Sequence, residues 1–415
     1  AAAARDGQVW ENGNQREGES MDRKAEGRTR PATARPLLGA LLGMALAPVL
    51  AGAWTPDRGD GTYRNPIIFA DYSDPDVIRV GDDFYMTASS FNCMPGLPIL
   101  HSKDLVNWRL IGHALERLDL PGYDAPQRGG GIWAPSLRYH GGRFWIFVST
   151  PDEGILMLSA PAASGPWSVP KLIKEAKGWI DPCPFWDDDG NAYLVHAFAR
   201  SRAGINGVLC LHRMKPDGTA LLDEGQIVFE DRERHPTIEG PKMDKRNGFY
   251  YIFAPAGGVT DGWQTVLRAR SPFGPYEDRV VLWQGRSSIN GPHQGGWVEL
   301  PSGESWFVHF QEMGAFGRIV HLQPMRWLND WPVIGDDPDG DGRGEPVVGG
   351  KKPTVGGTAA SVVPQTSDEF DGERLGPQWQ WEANPKAEFA SLSANPGFLR
   401  LSAQPCPEGD LMKAP

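Results

Sequence analysis

Residues 180–198 read IDPCPFWDDDGNAYLVHAF. At the centre, three aspartates run into a glycine, which is turn chemistry. The residues after it are aromatic and β-branched, and those before it form a short, proline-punctuated run, so the whole reads as a β-hairpin. The same pattern recurs. GDDFYMTASS (81–90), GGRFWIFVST (141–150), NGFYYIFAPA (247–256) and SGESWFVHFQ (302–311) each join a polar, glycine-containing turn to an aromatic strand, at intervals of about 50 to 60 residues.

Each hairpin has a similar first strand: SDPDVIRV (73–80), WAPSLRYH (133–140), IDPCPFWD (180–187), IEGPKMDK (238–245) and PHQGGWVE (292–299). HSKDLVNW (101–108), SAPAASGPW (159–167) and ARSPFGPYE (269–277) follow some hairpins and open the outer part of a four-stranded unit. No helical periodicity is sustained across the region. The expected fold is therefore all-β, a five-bladed β-propeller over 60–335. First strands line a propeller's axis, so Asp74, Trp133, Asp181, Glu239 and His293 are expected to face one pocket. Asp187, Asp188 and Asp189 read as a solvated turn.

Beyond the repeats the composition shifts. Residues 336–362, which include DDPDGDGRGEPVVGGKKPTVGG, read as a linker. Asp337, Asp339 and Asp341 imitate the start of a calcium loop, but Val348 stands at the twelfth position, where that loop needs a glutamate. From 363 to 415 the chain reads as the incomplete start of a β-sandwich. At the other end, Met21 to Arg35 carries five basic and two acidic residues before the apolar run PLLGALLGMALAPVLAGA (36–53). That order is expected of a secretory signal, 21–53, with its cleavage site. Residues 1–20 lie upstream of it and are of doubtful origin. The expected location is secreted, periplasmic or extracellular, with no membrane attachment after cleavage.

The 415-residue chain has a net charge of −11 and no long basic run in its body, which argues against a nucleic-acid partner and suits a neutral ligand. Its 16 tryptophans suit sugar stacking and a large β core alike. The four cysteines, Cys93, Cys183, Cys210 and Cys406, show no C-x-x-C spacing.

Carboxylates gathered on an axis repel one another and lose hydration, and a catalytic role is a reason to tolerate that. Glycoside hydrolysis uses such a set: a protonated carboxyl for the leaving oxygen, and an ionised one for water. NPIIFADYSDPDVIRVGDDFYM, GGGIWAPSLRYHGGRFWIF, IDPCPFWDDDGNAYLV, TIEGPKM, GPHQGGWVEL and GRIVHLQPMRWLNDWPVIG follow in order between about 62 and 335. Together they resemble the motifs of glycoside hydrolase family 43. FDGERLGPQWQW (370–381) resembles the start of the β-sandwich of its xylosidase-type members.

The resemblance implies an inverting exo-glycosidase removing terminal β-D-xylosyl or α-L-arabinofuranosyl units from plant polysaccharides or oligosaccharides. It implies Asp74 as general base, Glu239 as general acid and Asp181 as the carboxylate that tunes the acid. Arg318 would contact the sugar, and Phe91 and Trp133 would wall its pocket. His293 would lie on the axis beside a water or a metal ion. Asp76, two residues after Asp74, is the alternative base. No cofactor is implied for the chemistry, with calcium reserved for a structural role. Two alternatives stay open: a non-catalytic carbohydrate-binding propeller, and a retaining fructan-cleaving glycosidase. The latter group has an arginine before its second Asp-Pro and a cysteine after its acid, where this chain has Ile180 and Gly240.

Overall fold

The computed structural model describes residues 54–357, 359–410 and 413; the expected secretory signal and the segment before it lie outside them. Among the described residues, five four-stranded antiparallel sheets follow one another along the chain. Blade one runs Asp76–Val80, Asp83–Thr87, Gly96–Ser102 and Trp108–Leu115. Blade two runs Ser136–His140, Arg143–Thr150, Gly154–Ala160 and Lys171–Glu175. Blade three runs Trp179–Trp186, Ala192–Phe198, Val208–Met214 and Gln226–Glu230. Blade four runs Lys242–Arg246, Phe249–Ala256, Trp263–Ala269 and Glu277–Leu282. Blade five runs His293–Glu299, Ser305–Glu312, Arg318–Leu328 and Trp331–Ile334. The five repeated hairpins are the first-to-second strand turns, and the three outer motifs are the turns into fourth strands.

Packing explains the residue pattern. Second and third strands are covered on both faces by neighbouring blades, so they read as continuous apolar runs such as GILMLSA and AYLVHAF. Outer strands face solvent on one side and carry charge, as in KLIKE and QIVFE. The core is a set of clusters at the seams between blades, for example Phe147, Met157, Leu194 and Met214 between blades two and three.

The ring closes without sharing a blade between its ends. The innermost strands of blades five and one lie side by side, so close that a Cβ on Gly296 would stand 3.0 Å from Asp76 Oδ1. A strap seals this seam: Thr62–Arg64 pairs with Gly349–Lys351, and Ile68 bridges Val320. Asn65 donates through Nδ2 to the carbonyls of Leu322 and Val347, and its Oδ1 accepts from Leu322 N–H. Residues 336–351, read as the first part of a linker, are thus stitched to the propeller. Gly344 exchanges backbone hydrogen bonds with Val281 and Trp283 beside blade four.

The DDDG turn also differs from its reading. Asp188 and Asp189 are exposed, but Asp187 is buried. It accepts from Lys245 and from the Tyr250 hydroxyl, tying blade three to blade four. Sequence alone could not separate it from its neighbours, because its partners come from the next repeat.

Past the strap, residues 363–410 hold a two-residue strand pair, Ala390–Ser391 with Arg400–Leu401, and lie against the propeller. Met94 and Trp381 exchange backbone hydrogen bonds, and buried Asn384 pairs with the backbone of Leu118 and Tyr123. The four cysteines are free thiols. No helix among the described residues is long and apolar enough to cross a membrane.

Candidate active site

Three of the carboxylates reach the axis from strained backbone or tight loops. Asp74 (φ 54°) precedes the first strand of blade one; Asp181 (φ 57°) sits at a register shift within the first strand of blade three. Glu239 precedes the first strand of blade four. Phe91 (φ 50°) and Gln294 (φ 34°) are also left-handed. Such strain persists only where the surroundings fix it, and it gathers at functional sites. Here it turns side chains inward that regular strands would place on the blade faces.

These residues line one cavity of about 190 Å³ with Trp133, Arg318, Ala134, Ile180 and Val259. It is smaller than a typical drug-sized site. The expected site residues therefore converge: Asp74, Asp181, Glu239, Arg318, Trp133 and Phe91 all line it. His293 does not line it. It is fully buried, with Nε2 3.6 Å from Glu239 Oε1.

Asp74 is nearly buried. Its Oδ2 accepts from Ser89 Oγ at 2.6 Å and its Oδ1 from Arg318 Nη1 at 2.9 Å. Arg318 is held in turn by Glu312 at 3.2 Å. Asp76, the alternative base, faces away. It is 1% exposed and engaged by the Leu137 N–H and the Arg138 guanidinium, so it is spent on a buried ion pair between blades one and two.

Asp181 and Glu239 behave as a pair. Asp181 Oδ2 accepts from Gly240 N–H at 2.8 Å, the residue after Glu239, and from Gln294 Nε2 at 3.4 Å. Burial first, then the Asp181 and Asp74 charges, push the Glu239 carboxyl well above its ordinary range; Arg318 opposes this. Asp181 is pushed up as well, by burial first and then Asp74, but the Gly240 N–H, Lys242 and Arg318 favour its ionised form. The two carboxyls therefore titrate as a pair, and the backbone donor and cations that favour ionised Asp181 leave Glu239 the better placed of the two to hold a proton. Gly240 is required here. Its φ is +57°, and a Cβ would stand 2.6 Å from the Gln294 side chain.

Several polar atoms around this axis have no protein partner: Trp133 Nε1, Gln294 Oε1 and both ring nitrogens of His293. Buried polar atoms left without protein partners mark where a ligand or ordered water belongs. Burial, then the Arg318 charge, lower the His293 imidazole to about 3, so it is neutral. With Glu239 Oε1 3.6 Å from its Nε2, the neutral ring offers a nitrogen to an ordered water or an ion on the axis. At the strap, Asp337, Asp339 and Asp341 lie within 4.8 Å of one another, with Asp337 engaged by Arg326 and Asp341 by Arg343.

The sequence reading missed Ser89, Glu312 and Gln294. Gln294 neighbours His293 in GPHQGG; Ser89 follows the second strand of blade one and Glu312 ends the second strand of blade five, where the register within each blade sets them beside Asp74 and Arg318.

The sequence profile of Glycosyl hydrolases family 43 matches residues 63–332. The chain belongs to that family. A second profile, the Beta xylosidase C-terminal Concanavalin A-like domain, matches residues 367–414. A candidate beta-xylosidase of Xylanibacter ruminicola is 51% identical over 351 residues, a span covering 84% of this chain and 64% of that protein. A non-reducing end alpha-L-arabinofuranosidase of Bacteroides ovatus is 33% identical over 376 residues, covering 85% of this chain and 68% of that one. The structure of a xylan beta-1,4-xylosidase from Bacillus halodurans aligns with a TM-score of 0.70 at 28% identity, over 81% of this chain and 68% of that one. This family-43 chain thus spans 64% of the length of the first of these relatives.

Proposed function

We propose that this family-43 chain is an inverting exo-glycosidase that removes terminal β-D-xylosyl or α-L-arabinofuranosyl units from plant polysaccharides or oligosaccharides. The observation that carries this reading is the unequal setting of two carboxyls on one cavity: Glu239 is buried beside two other carboxyls, which favours its protonated form, while Asp74 is ion-paired with Arg318. Glu239 passes its proton to the glycosidic oxygen as the bond to the anomeric carbon breaks. Asp74 takes a proton from the water that attacks the opposite face of the ring. Asp181 keeps Glu239 protonated and, through Gly240, in place. Arg318 orients Asp74 and the sugar; Trp133 and Phe91 wall the ring. The cavity's small volume supports single terminal units over an internal stretch of chain.

Inversion requires the base and acid to stand about 6.5–9.5 Å apart, with room for that water. Proton NMR of the first sugar released tests it: the product's anomeric configuration is opposite to the substrate's, and retention refutes the mechanism. A panel of aryl β-xylosides and α-arabinofuranosides tests the substrate, and no hydrolysis of either sinks the reading. The acid and base supply the chemistry without a cofactor, so a calcium chelator leaves the rate unchanged; a fall in Tm on chelation would instead support structural calcium at Asp337, Asp339 and Asp341. Residues 21–53 act as a cleaved export signal, tested by the N-terminus of the protein recovered from the cell exterior.

A further inference from the structure

Blade three holds a second cluster, apart from the sugar cavity. Antiparallel pairing sets His196 opposite Cys210 and Leu194 opposite His212. Strand alternation then turns Cys210 and His212 to one face, beside His196. His196 and His212 are fully buried, and Cys210 is 5% exposed. Their ligand atoms lie within 4.8 Å of one another.

The tautomers are set by the far side of each ring. His196 Nδ1 lies 2.9 Å from the Ala197 carbonyl. His212 Nδ1 lies 3.3 Å from the Asp223 carbonyl and 3.4 Å from its side-chain Oδ1. These oxygens can only accept, so both Nδ1 atoms carry the proton. Both Nε2 atoms are then lone pairs, and they face each other at 3.1 Å, with Cys210 Sγ 3.6 Å from His212 Nε2. Two buried lone pairs at that distance repel each other, and a cation between them removes the repulsion.

Blade five provides the comparison. His309 occupies the place of His196, with Nδ1 on the Phe310 carbonyl; His321 stands opposite it, as Cys210 does. The place of His212 is taken by Gln323, whose Nε2 lies 3.1 Å from His309 Nε2. An amide N–H donating to an imidazole lone pair is a complete hydrogen bond. Blade three replaces that donor with a second acceptor and adds a thiol.

We propose that His196, Cys210 and His212 bind a zinc ion that clamps the middle strands of blade three. With Zn–N of ~2.05 Å and Zn–S of ~2.3 Å, the separations of 3.1 Å and 3.6 Å correspond to angles of about 98° and about 112°, close to tetrahedral. The bound metal displaces the thiol proton, so one thiolate offsets part of the Zn²⁺ charge, and the Asp223 carboxylate behind His212, which Arg213 also engages at 3.3 Å, lies next to it. That carboxylate is the orienting partner a zinc-bound histidine usually has. Trp179 stacks on His196 at 4.1 Å and closes one side. Gly225 closes another: at φ +81°, a Cβ there would stand 2.5 Å from His212 Nε2 and 2.7 Å from Cys210 Sγ.

The test uses the full chain, expressed with zinc and desalted, with metal read by plasma mass spectrometry. The wild type is expected to keep about one zinc per chain. His212→Gln rebuilds the blade-five hydrogen bond, so it is expected to fold normally and lose the zinc. Cobalt added to metal-free wild type is expected to give a thiolate-to-cobalt charge-transfer band in the near ultraviolet, absent from Cys210→Ser. Zinc-free wild type, equal zinc in His212→Gln, or a cobalt band that survives Cys210→Ser would overturn the proposal.

Discussion

Glu239 illustrates what burial does to a single residue. Its carboxyl is raised by desolvation and by Asp181 and Asp74, so the acid form persists well into the range where an ordinary glutamate is ionised. Activity should hold below the raised value and fall as pH climbs through it. Asp181→Asn removes one of the charges that hold the proton on Glu239, so the alkaline limb of the kcat/KM profile is expected to move to lower pH, with a slower maximum. An unmoved limb would reduce Asp181 to a structural residue. Glu239→Gln is expected to lower kcat by about 10²–10⁴-fold while sugar binding, measured by calorimetry, persists. The same shifts set a stability trend of known sign. Both carboxyls bind protons more tightly folded than unfolded, so ionising them as pH rises costs native stability. Glu239→Gln should therefore gain Tm over the wild type, by a margin that widens from about pH 5 to about pH 9. At this scale the sequence was readable where a residue sits in a repeated motif, as Asp74, Asp181 and Glu239 do. It was silent on Ser89 and Glu312, whose roles depend on the register within blades one and five, and on Gln294, which reaches Asp181 across from blade five to blade three.

At the scale of elements, the blades were legible because each needs a turn, an aromatic second strand and a first strand on the axis, and each signal recurs. The strained entries were not: nothing in SDPDV or IDPCP announces a positive φ at the aspartate. Nor was the His196, Cys210 and His212 cluster legible. Its spacing is ordinary strand alternation, and the cross-strand register that completes it is set by the fold. The loop joining Glu239 to blade four shows how such detail transmits. Gly240 binds Asp181 through its N–H and lies against Gln294. Gly240→Ala is expected to break that contact, lower kcat and move the alkaline limb in the direction of Asp181→Asn. Gly248→Ala carries comparable backbone strain at φ +72° in the first-to-second strand turn of blade four, away from the cavity. It should lose similar stability with kcat and pH profile unchanged, and equal kinetics in the two variants would deny the Gly240 loop its role.

In the whole molecule, two long-range contacts tie the ring and the segment after it to the site. The seam between blades one and five depends on Asn65, whose three hydrogen bonds are buried or partly buried. Asn65→Ala leaves Leu322 N–H and Val347 C=O without that partner, and about 2–4 kcal/mol of destabilisation is expected in chemical denaturation. The second contact reaches the sugar pocket. Phe91 stands on a loop whose near end pairs with Ile132 and whose far end, Met94, pairs with Trp381 of the C-terminal segment. Gln380 adds a hydrogen bond to the Pro95 carbonyl at 2.8 Å, and Asn384 fixes the neighbouring Leu118 backbone. The propeller thus supplies one support for the Phe91 wall and the C-terminal segment supplies the other. A chain ending at residue 362 retains all five blades, Asp74, Asp181 and Glu239, but loses the second support. It is expected to melt cooperatively, as a complete ring should, with KM raised several-fold and kcat changed much less, because the wall is loosened while the acid and base stay put. Trp381→Pro in the full chain removes the N–H that Met94 accepts and should raise KM in the same direction. If both variants fold and keep the wild-type KM, the C-terminal segment does not shape the pocket.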